Sequence, residues 1–461
     1  MELSTAIAAS TVQGTVKTLV GQDAHADPRV QRARPSVNRF FALVAQLGLL
    51  LAVFRVYHVE QFRGPDDLDF FAMCCVAFGA FVVHYWLPFR LKEKFWVIVS
   101  MASTALFLQR RVVIALFAAG FLFYLIAASR LSFRKRAAIA TALFLTAMFS
   151  SAKSEWFAHL RHGLSIPGSF WAVFGGIFMF RLIVYFYDLQ SAKTKPSLVE
   201  FLAYFFILPN YLFLFFPVID FKTMRLTYYR RDIHESAQQG IFWICRGTVH
   251  LLLYMIVFHV RDMLSLDGIH SFGAVVTMMF LTFMLYLRVS GQFHIIVGLL
   301  HLFGYDLPET NHKYLLSHSL NDFWRRINIY WKDFMVKIVY FPVYFRLRKK
   351  NDFGARMLAT AMVFVVTWVL HSYQTFWLQG RFIMTWQDTL FWSILGSLVM
   401  VNVWWEFRHP KRRKDTSWPG RLRTAASIVV TMSLILVIWS LWSAPSVRAW
   451  IDFLTWWHPR F

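Results

Sequence analysis

Long apolar runs recur along the whole of this 461-residue chain, and they constrain its fold more than any other feature. A helix crossing the hydrocarbon core of a bilayer needs roughly 20 mostly apolar residues. Candidate runs fall at about 40–57, 68–87, 112–129, 170–187, 241–260, 272–287, 357–376, 388–405 and 423–442, with shorter ones at 95–108 and 137–151. Composition agrees: 57% of residues are hydrophobic and 18% aromatic, while 16% are charged against roughly 25% in a soluble domain. A soluble fold of this size needs more polar surface, and disordered chains are poor in aromatic and aliphatic residues. The expectation is an all-α, polytopic integral membrane protein of roughly 10–12 transmembrane helices plus re-entrant segments around a central cavity. Residues 39–443 form its membrane domain, 1–38 a polar, disordered cytoplasmic lead-in, and 444–461 an interfacial segment.

The chain carries 48 Lys and Arg against 25 Asp and Glu, a net charge of +23. These basic residues sit in short loops between apolar runs, which reads as cytoplasmic loops facing anionic membrane lipids rather than as a nucleic-acid surface. Residues 90–94, 130–136 and 408–423 read as inside, and the acidic loop 60–69 as outside. The N-terminus is then cytoplasmic and the C-terminus external. Cys74, Cys75 and Cys245 form no C-x-x-C pair, so neither a disulfide framework nor a zinc site is expected.

Strict alternation fails in two places. Residues 198–221 contain Pro209, Asn210 and Pro217 and precede the basic stretch 222–231. A broken, re-entrant segment keeps those charges inside. Residues 293–303 are too short to span, precede the basic stretch 325–350, and are read as partly inserted as well. Irregular backbone at membrane depth is tolerated only inside protein or around a water-filled cavity, so two such segments imply a cavity.

Two stretches carry candidate chemistry. Ser319 and Asp322 have capping-box spacing, so a helix is expected to start there, with Asp322 and Arg326 paired four residues apart. On one continuous helix Trp324, Asn328 and Trp331 share a face, aromatic with one amide in the middle. An interfacial helix explains the Trp, Arg and Lys content but accounts poorly for Asn328. In the second stretch His371 lies in an apolar helix, about 21 Å from an expected start at Met357. An ionisable residue within a span costs several kcal/mol unless paired or hydrated, which makes it a functional candidate. His84, His250, His294 and His301 also lie in apolar segments, and a lone histidine of this kind is more often a packing residue. His294 and His301 have no third ligand at metal spacing, so no metal is assigned.

The pair SLNDFWRRINIYWKDF and, 43 residues beyond Asn328, the membrane histidine of WVLHSYQ resembles the membrane-bound O-acyltransferase (MBOAT) family. SGQFHIIVGLLHLFGYDLPETNHKYLLSHSL and ILPNYLFLFFPVIDF resemble the branch containing bacterial alginate O-acetyltransferases and teichoic-acid D-alanyl transfer proteins. The resemblance covers residues 191–405 and the first helices only by hydropathy. It implies an enzyme of the bacterial cytoplasmic (inner) membrane that modifies a polysaccharide or lipid. It places Asn328 at the family's first polar active-site position and His371 at its near-invariant histidine. The branch usually has Trp-His where this chain has Ile327-Asn328, and Trp-His-Gly where it has Leu370-His371-Ser372. Asn at the first position is common in members that acylate lipids, sterols or proteins, so the acceptor stays open.

The expected reaction moves an acyl group from a cytoplasmic thioester to a hydroxyl of an envelope glycan, lipid or exported molecule. His371 acts as general base and the Asn328 amide as an oxyanion donor. Arg325, Arg326 and Lys332 are placed to attract thioester phosphates or lipid headgroups, Tyr373 and Gln374 to bond His371 or substrate, and Trp324 and Trp331 to line the site. No bound cofactor is expected. The co-substrate is acyl-CoA or a phosphopantetheine carrier, with an acyl carrier protein and a periplasmic acyl-transfer protein as partners beside membrane lipids. Two other classes compete: a transporter or flippase, for which Arg181, Arg246 and His250 speak, and a catalytically inactive scaffold.

Overall fold

The computed structural model describes residues 27–59, 70–151, 168–190, 197–213, 217–264, 271–409 and 417–455. The outside loop expected at 60–69, most of the N-terminal lead-in and Trp456 and Trp457 of the expected interfacial segment lie outside these residues, as do residues 410–416 of a basic loop.

Among the described residues the protein is all-helical, apart from a single bridge between Tyr228 and Tyr305. Eight helices are long and apolar enough to cross a membrane: Val37–Val56, Arg110–Ala128, Ser169–Gln190, Ile233–Met263, Phe272–Leu302, Asp352–Gln379, Trp386–Arg408 and Trp418–Ser443. Three more helices, Phe70–Trp86, Phe89–Phe107 and Phe133–Ser151, fall where further spans are expected. The first is short, and the other two begin with clusters of charge. The chain is an all-α polytopic membrane protein.

Packing follows from a lipid solvent. Large apolar side chains such as Phe41, Leu106, Met263 and Val429 point outward, because lipid solvates them as well as a core does. The exception is Ser169–Gln190, whose most apolar window is 78% buried against 28–39% for the other spans. This helix is ringed by protein. Its Gly175 lies where a Cβ would sit 2.5 Å from Cβ of Trp377, so the Asp352–Gln379 helix packs directly onto its backbone.

Among the described residues, Ile233–Met263 and Tyr286–Leu302 share the most extensive helix–helix contact. Gly240 faces Gly298 and Gly247 faces Gly291, and an added Cβ at any of the four would come within 2.6–2.9 Å of the partner backbone or side chain. The opposite order of the two contacts makes the pair antiparallel. Small residues repeated along a seam let membrane helices touch backbone to backbone. One expectation is corrected here. Residues 293–303 are not a separate, partly inserted piece: 293–302 complete the span Phe272–Leu302, which breaks only at Leu285, and Phe303 caps it.

The broken segment is as expected. Helix Leu198–Phe205 stops at Phe206, and Pro209–Leu212 adds a single turn before Phe221–Thr227. Its freed carbonyls are met by side chains: Asn210 Nδ2 donates to the Phe205 carbonyl at 2.7 Å, Tyr211 Oη to Phe206 at 2.9 Å and Tyr204 Oη to Ile219 at 2.6 Å. Internal satisfaction is the condition for irregular backbone in a bilayer. The segment is also walled in by aromatic rings, with Phe206 against Phe117 and Phe178.

One end of the bundle gathers the basic loops. Arg32 reaches the Tyr229 carbonyl, Arg29 lies over Phe89, Arg225 pairs with Glu93 and Glu200, and Arg231 pairs with Asp306. Lys337 pairs with both Asp188 and Asp220. The stretches around residues 29–32, 89–93, 222–231 and 337 therefore share one face. At Lys337, outside the spans, burial favours the neutral amine, but the two carboxylates win and raise its pKa.

Candidate active site

The stretch holding Asn328 is not one helix. Ser319 caps Leu320–Arg326, accepting from the Asp322 N–H at 3.1 Å, and Asp322 accepts from Arg326 Nε at 2.9 Å, both as expected. The helix then ends at Ile327, and a second begins at Ile329. Asn328 sits between them in the left-handed region, with φ 40° and ψ 64°. The expected helical face of Trp324, Asn328 and Trp331 therefore does not exist. The two tryptophans come from different helices and the amide from the turn between them. Asn is among the few residues that tolerate this conformation, and it caps the second helix as well: its Oδ1 accepts from the Trp331 N–H at 3.2 Å. The oxygen being used as the cap, the amide nitrogen is the group left to act. Directly after Ile329–Met335 the chain forms a π-helical turn, Val336–Tyr340, followed by Pro342, which lacks an N–H.

His371 lies in Asp352–Gln379, nineteen residues from its start and about 28 Å along it. Asn351 caps the helix, so it starts five residues earlier than the hydropathy indicates. The imidazole is surrounded by indoles, with centroids 4.8 Å from Trp392, 5.7 Å from Trp442 and 5.7 Å from Trp331. These rings fix the imidazole in place on three sides. Trp442 in turn donates its indole N–H to Asp388 Oδ1 at 2.7 Å. Asp388 is fixed by the capping box it forms with Thr385 at the start of Trp386–Arg408.

Asn328 and His371 open onto the same cavity of about 450 Å³. Its wall is mostly aromatic and aliphatic, including Trp324, Trp331, Trp392, Trp439, Trp442 and Phe391. Lys332, Gln374, Tyr286 and Ser443 supply polar groups. Among the described residues, the buried indole N–H groups of Trp331 and Trp392 have no hydrogen-bond partner. Pro217 and Val218, at the end of the broken segment, also reach the wall.

Of the expected site residues, the cavity thus brings together His371, Asn328, Trp324, Trp331, Lys332 and Gln374. Three stand apart. Arg325 is exposed, and Arg326 is occupied by Asp322. Tyr373 faces away from His371, as residues two apart on a helix must. It packs on Phe180 with its hydroxyl 3.5 Å from the Met179 carbonyl. Lys332 also pairs with Asp333 at 2.6 Å.

Trp392, Trp442, Asp388 and Tyr286 are site residues that the sequence did not reveal. They lie on other helices, and only packing brings them to His371 and Asn328. Asp388, an acidic residue beginning an apolar run, was the one available signal. The intramembrane groups named for a transporter have structural partners: Arg246 stacks on Trp243 and pairs with Glu309, His250 bonds Ser290 Oγ at 3.0 Å, and Arg181 reaches the Gly176 carbonyl. Compared with known proteins, the sequence matches no family model and no curated relative.

Proposed function

We propose that the protein is a membrane-bound O-acyltransferase with His371 as general base and Asn328 as the donor to the developing oxyanion. The observation that carries this reading is the shared cavity: two residues 43 positions apart, on different elements, reach one aromatic chamber within a membrane helix bundle. The resemblance of the Asn328 and His371 segments to the MBOAT pattern supports the same assignment.

The chemistry follows from these groups. Neutral imidazole takes the proton from an acceptor hydroxyl as its oxygen attacks the carbonyl carbon of a thioester. Negative charge moves onto the carbonyl oxygen, where the Asn328 amide nitrogen donates. The carbon–sulfur bond then breaks, and the proton on His371 passes to the departing thiolate. The products are an ester and a free thiol. The indole cage around His371 holds the ring in position for both proton transfers, and Asp388 holds Trp442 of that cage. The acyl donor is a cytoplasmic thioester, on coenzyme A or a carrier protein, and the acceptor a hydroxyl of an envelope glycan, lipid or exported molecule.

The test is His371→Ala, with yield, thermal stability and thioester turnover measured on the same purified protein. Loss of a packing histidine from a membrane bundle costs about 1–2 kcal/mol. Loss of a positioned base costs on the order of 10²–10⁴ in rate. The expected outcome is a folded protein with turnover reduced by that factor; a folded variant with wild-type turnover rules out His371 as the base.

A further inference from the structure

We propose that Asn311 is a positioning residue that locks the left-handed turn at Asn328 and so aims the Asn328 amide into the cavity; the role in turnover rests on the acyltransferase reading of that site. Asn311 is fully buried and makes four hydrogen bonds, none of them to its own helix or strand, since it lies in the loop after Tyr286–Leu302. Its Oδ1 accepts from the Asn328 backbone N–H at 2.8 Å and from the Tyr286 hydroxyl at 3.0 Å. Its Nδ2 donates to Ser290 Oγ at 3.2 Å and Thr310 Oγ1 at 3.3 Å.

Both of those hydroxyls are themselves tied to membrane histidines: Ser290 to His250 Nδ1 and Thr310 to His294 Nδ1, each at 3.0 Å. His250 and His294 sit on the two helices of the glycine seam, and His294 stacks on Trp243. The turn at Asn328 is thereby fastened to the glycine-seam helix pair. Two backbone bonds flank the side-chain clamp. The Ile329 N–H donates to the Thr310 carbonyl at 2.8 Å, and the His312 N–H to the Arg326 carbonyl at 2.9 Å. Residues 310–312 therefore run alongside 326–329, with Asn311 at the centre.

The physical need is specific. A residue with a side chain rarely adopts φ near 40°, so neighbouring structure must hold it there. An oxyanion donor works only when its nitrogen lies about 2.7–3.1 Å from the developing charge, and a displacement of about 1 Å costs on the order of 10² in rate. Asn311 touches no substrate in this arrangement. It acts through Asn328, and it also holds the hydroxyl of Tyr286, a residue of the cavity wall.

The experiment compares Asn311→Leu with Asn311→Asp in the purified full-length protein. Both side chains have nearly the shape of asparagine. Leu lacks the acceptor, whereas Asp keeps it and can receive hydrogen bonds from the rotated Ser290 and Thr310 hydroxyls. The first readout, amide hydrogen exchange over residues 327–332, is independent of activity. Slow exchange at Asn328 is expected in the wild type and the Asp variant, and fast exchange in the Leu variant, with the helices of the glycine seam unchanged. The second readout is thiol release from acetyl-CoA. Because an oxyanion donor acts in the transition state, Asn311→Leu should lower kcat by about 10² at unchanged KM, and Asn311→Asp should restore most of it. Rapid exchange at Asn328 in the wild type overturns the proposal whether or not the Leu variant folds. So does a Leu variant with wild-type kcat, or an Asp variant with wild-type exchange and lost kcat. A wild type inactive on acetyl-CoA counts against the acyltransferase reading with that donor, while the exchange comparison still decides the clamp.

Discussion

At the scale of single residues, Asn328 does two jobs that substitution can separate. Its oxygen caps a helix in a left-handed turn, and its nitrogen is left for the cavity. Asn328→Ala loses the cap and strains the backbone, so it should lower stability by about 1–3 kcal/mol as well as turnover by about 10²–10³. Asn328→Gly accepts the positive φ without strain and caps nearly as well, so only turnover should fall. Thermal unfolding and thioester turnover measured on both variants check this; equal turnover in wild type and Asn328→Gly would leave the amide without a role in the reaction. Asn328→His should keep partial turnover, since His also tolerates this backbone region and carries a donor. Around His371, Trp442→Phe keeps an aromatic ring but removes the donor to Asp388. A hydrogen bond to a charged group contributes about 1.5–3 kcal/mol, so a loss of stability of that order is expected in a denaturation assay.

At the scale of elements, the glycine seam is what sets the depth and spacing of the site. A Cβ added at Gly247 or Gly298 would lie 2.6 Å from a carbonyl oxygen of the facing helix. Their replacement by Ala must push Ile233–Met263 and Tyr286–Leu302 apart, and overpacking of this kind costs about 1–3 kcal/mol. Because Tyr286 and Ser290 ride on the second helix, Gly298→Ala should also loosen the bonds to Asn311. The check is a lower unfolding temperature together with faster amide exchange at Asn328. Pairing Gly298→Ala with Gly48→Ala makes the contrast, since a Cβ at Gly48 meets nothing within 4 Å. The Gly48 variant should be as stable as wild type or slightly more so.

At the scale of the whole molecule, ion pairs and hydrogen bonds gather the stretches around residues 29–32, 89–93, 222–231 and 337 at one end. By the positive-inside rule we expect that end, along with 130–136, 325–350 and 408–423, to face the cytoplasm. Single cysteines placed in each basic stretch of a variant lacking Cys74, Cys75 and Cys245 should escape an impermeant thiol reagent applied to intact cells. Labelling at 222–231 from outside reverses the assignment for the entire end, because those ion pairs and hydrogen bonds hold its parts together. With that orientation His371, about 28 Å along a helix that begins beside the basic residues 346–350, is expected toward the outer half of the bilayer. A cytoplasmic thioester and an external acceptor would meet there.

The sequence by itself determined the helical membrane class, the apolar spans and the broken segment at 198–221. Each of these depends on one local property, hydropathy over a window or a proline within it, and lipid as solvent makes that property decisive. It also singled out His371, an ionisable group in an apolar helix, and Asn328, though the helical face invoked for Asn328 does not exist; the resemblance to the MBOAT pattern marked both residues. Other features depended on contacts between distant parts of the chain. The left-handed break at Asn328 is held by Asn311, 17 positions earlier, so a capping signal followed by helical spacing reads as one continuous helix. Residues 293–303 looked too short to span because the window ended at the polar Arg288, Ser290 and Gln292, which the structure carries within one long span. The indole cage takes Trp331, Trp392 and Trp442 from three helices, and side chains that meet only across a bundle leave no periodic trace in the order of residues. Only tertiary packing, through glycine contacts and buried hydrogen bonds, decided which polar residues face one another.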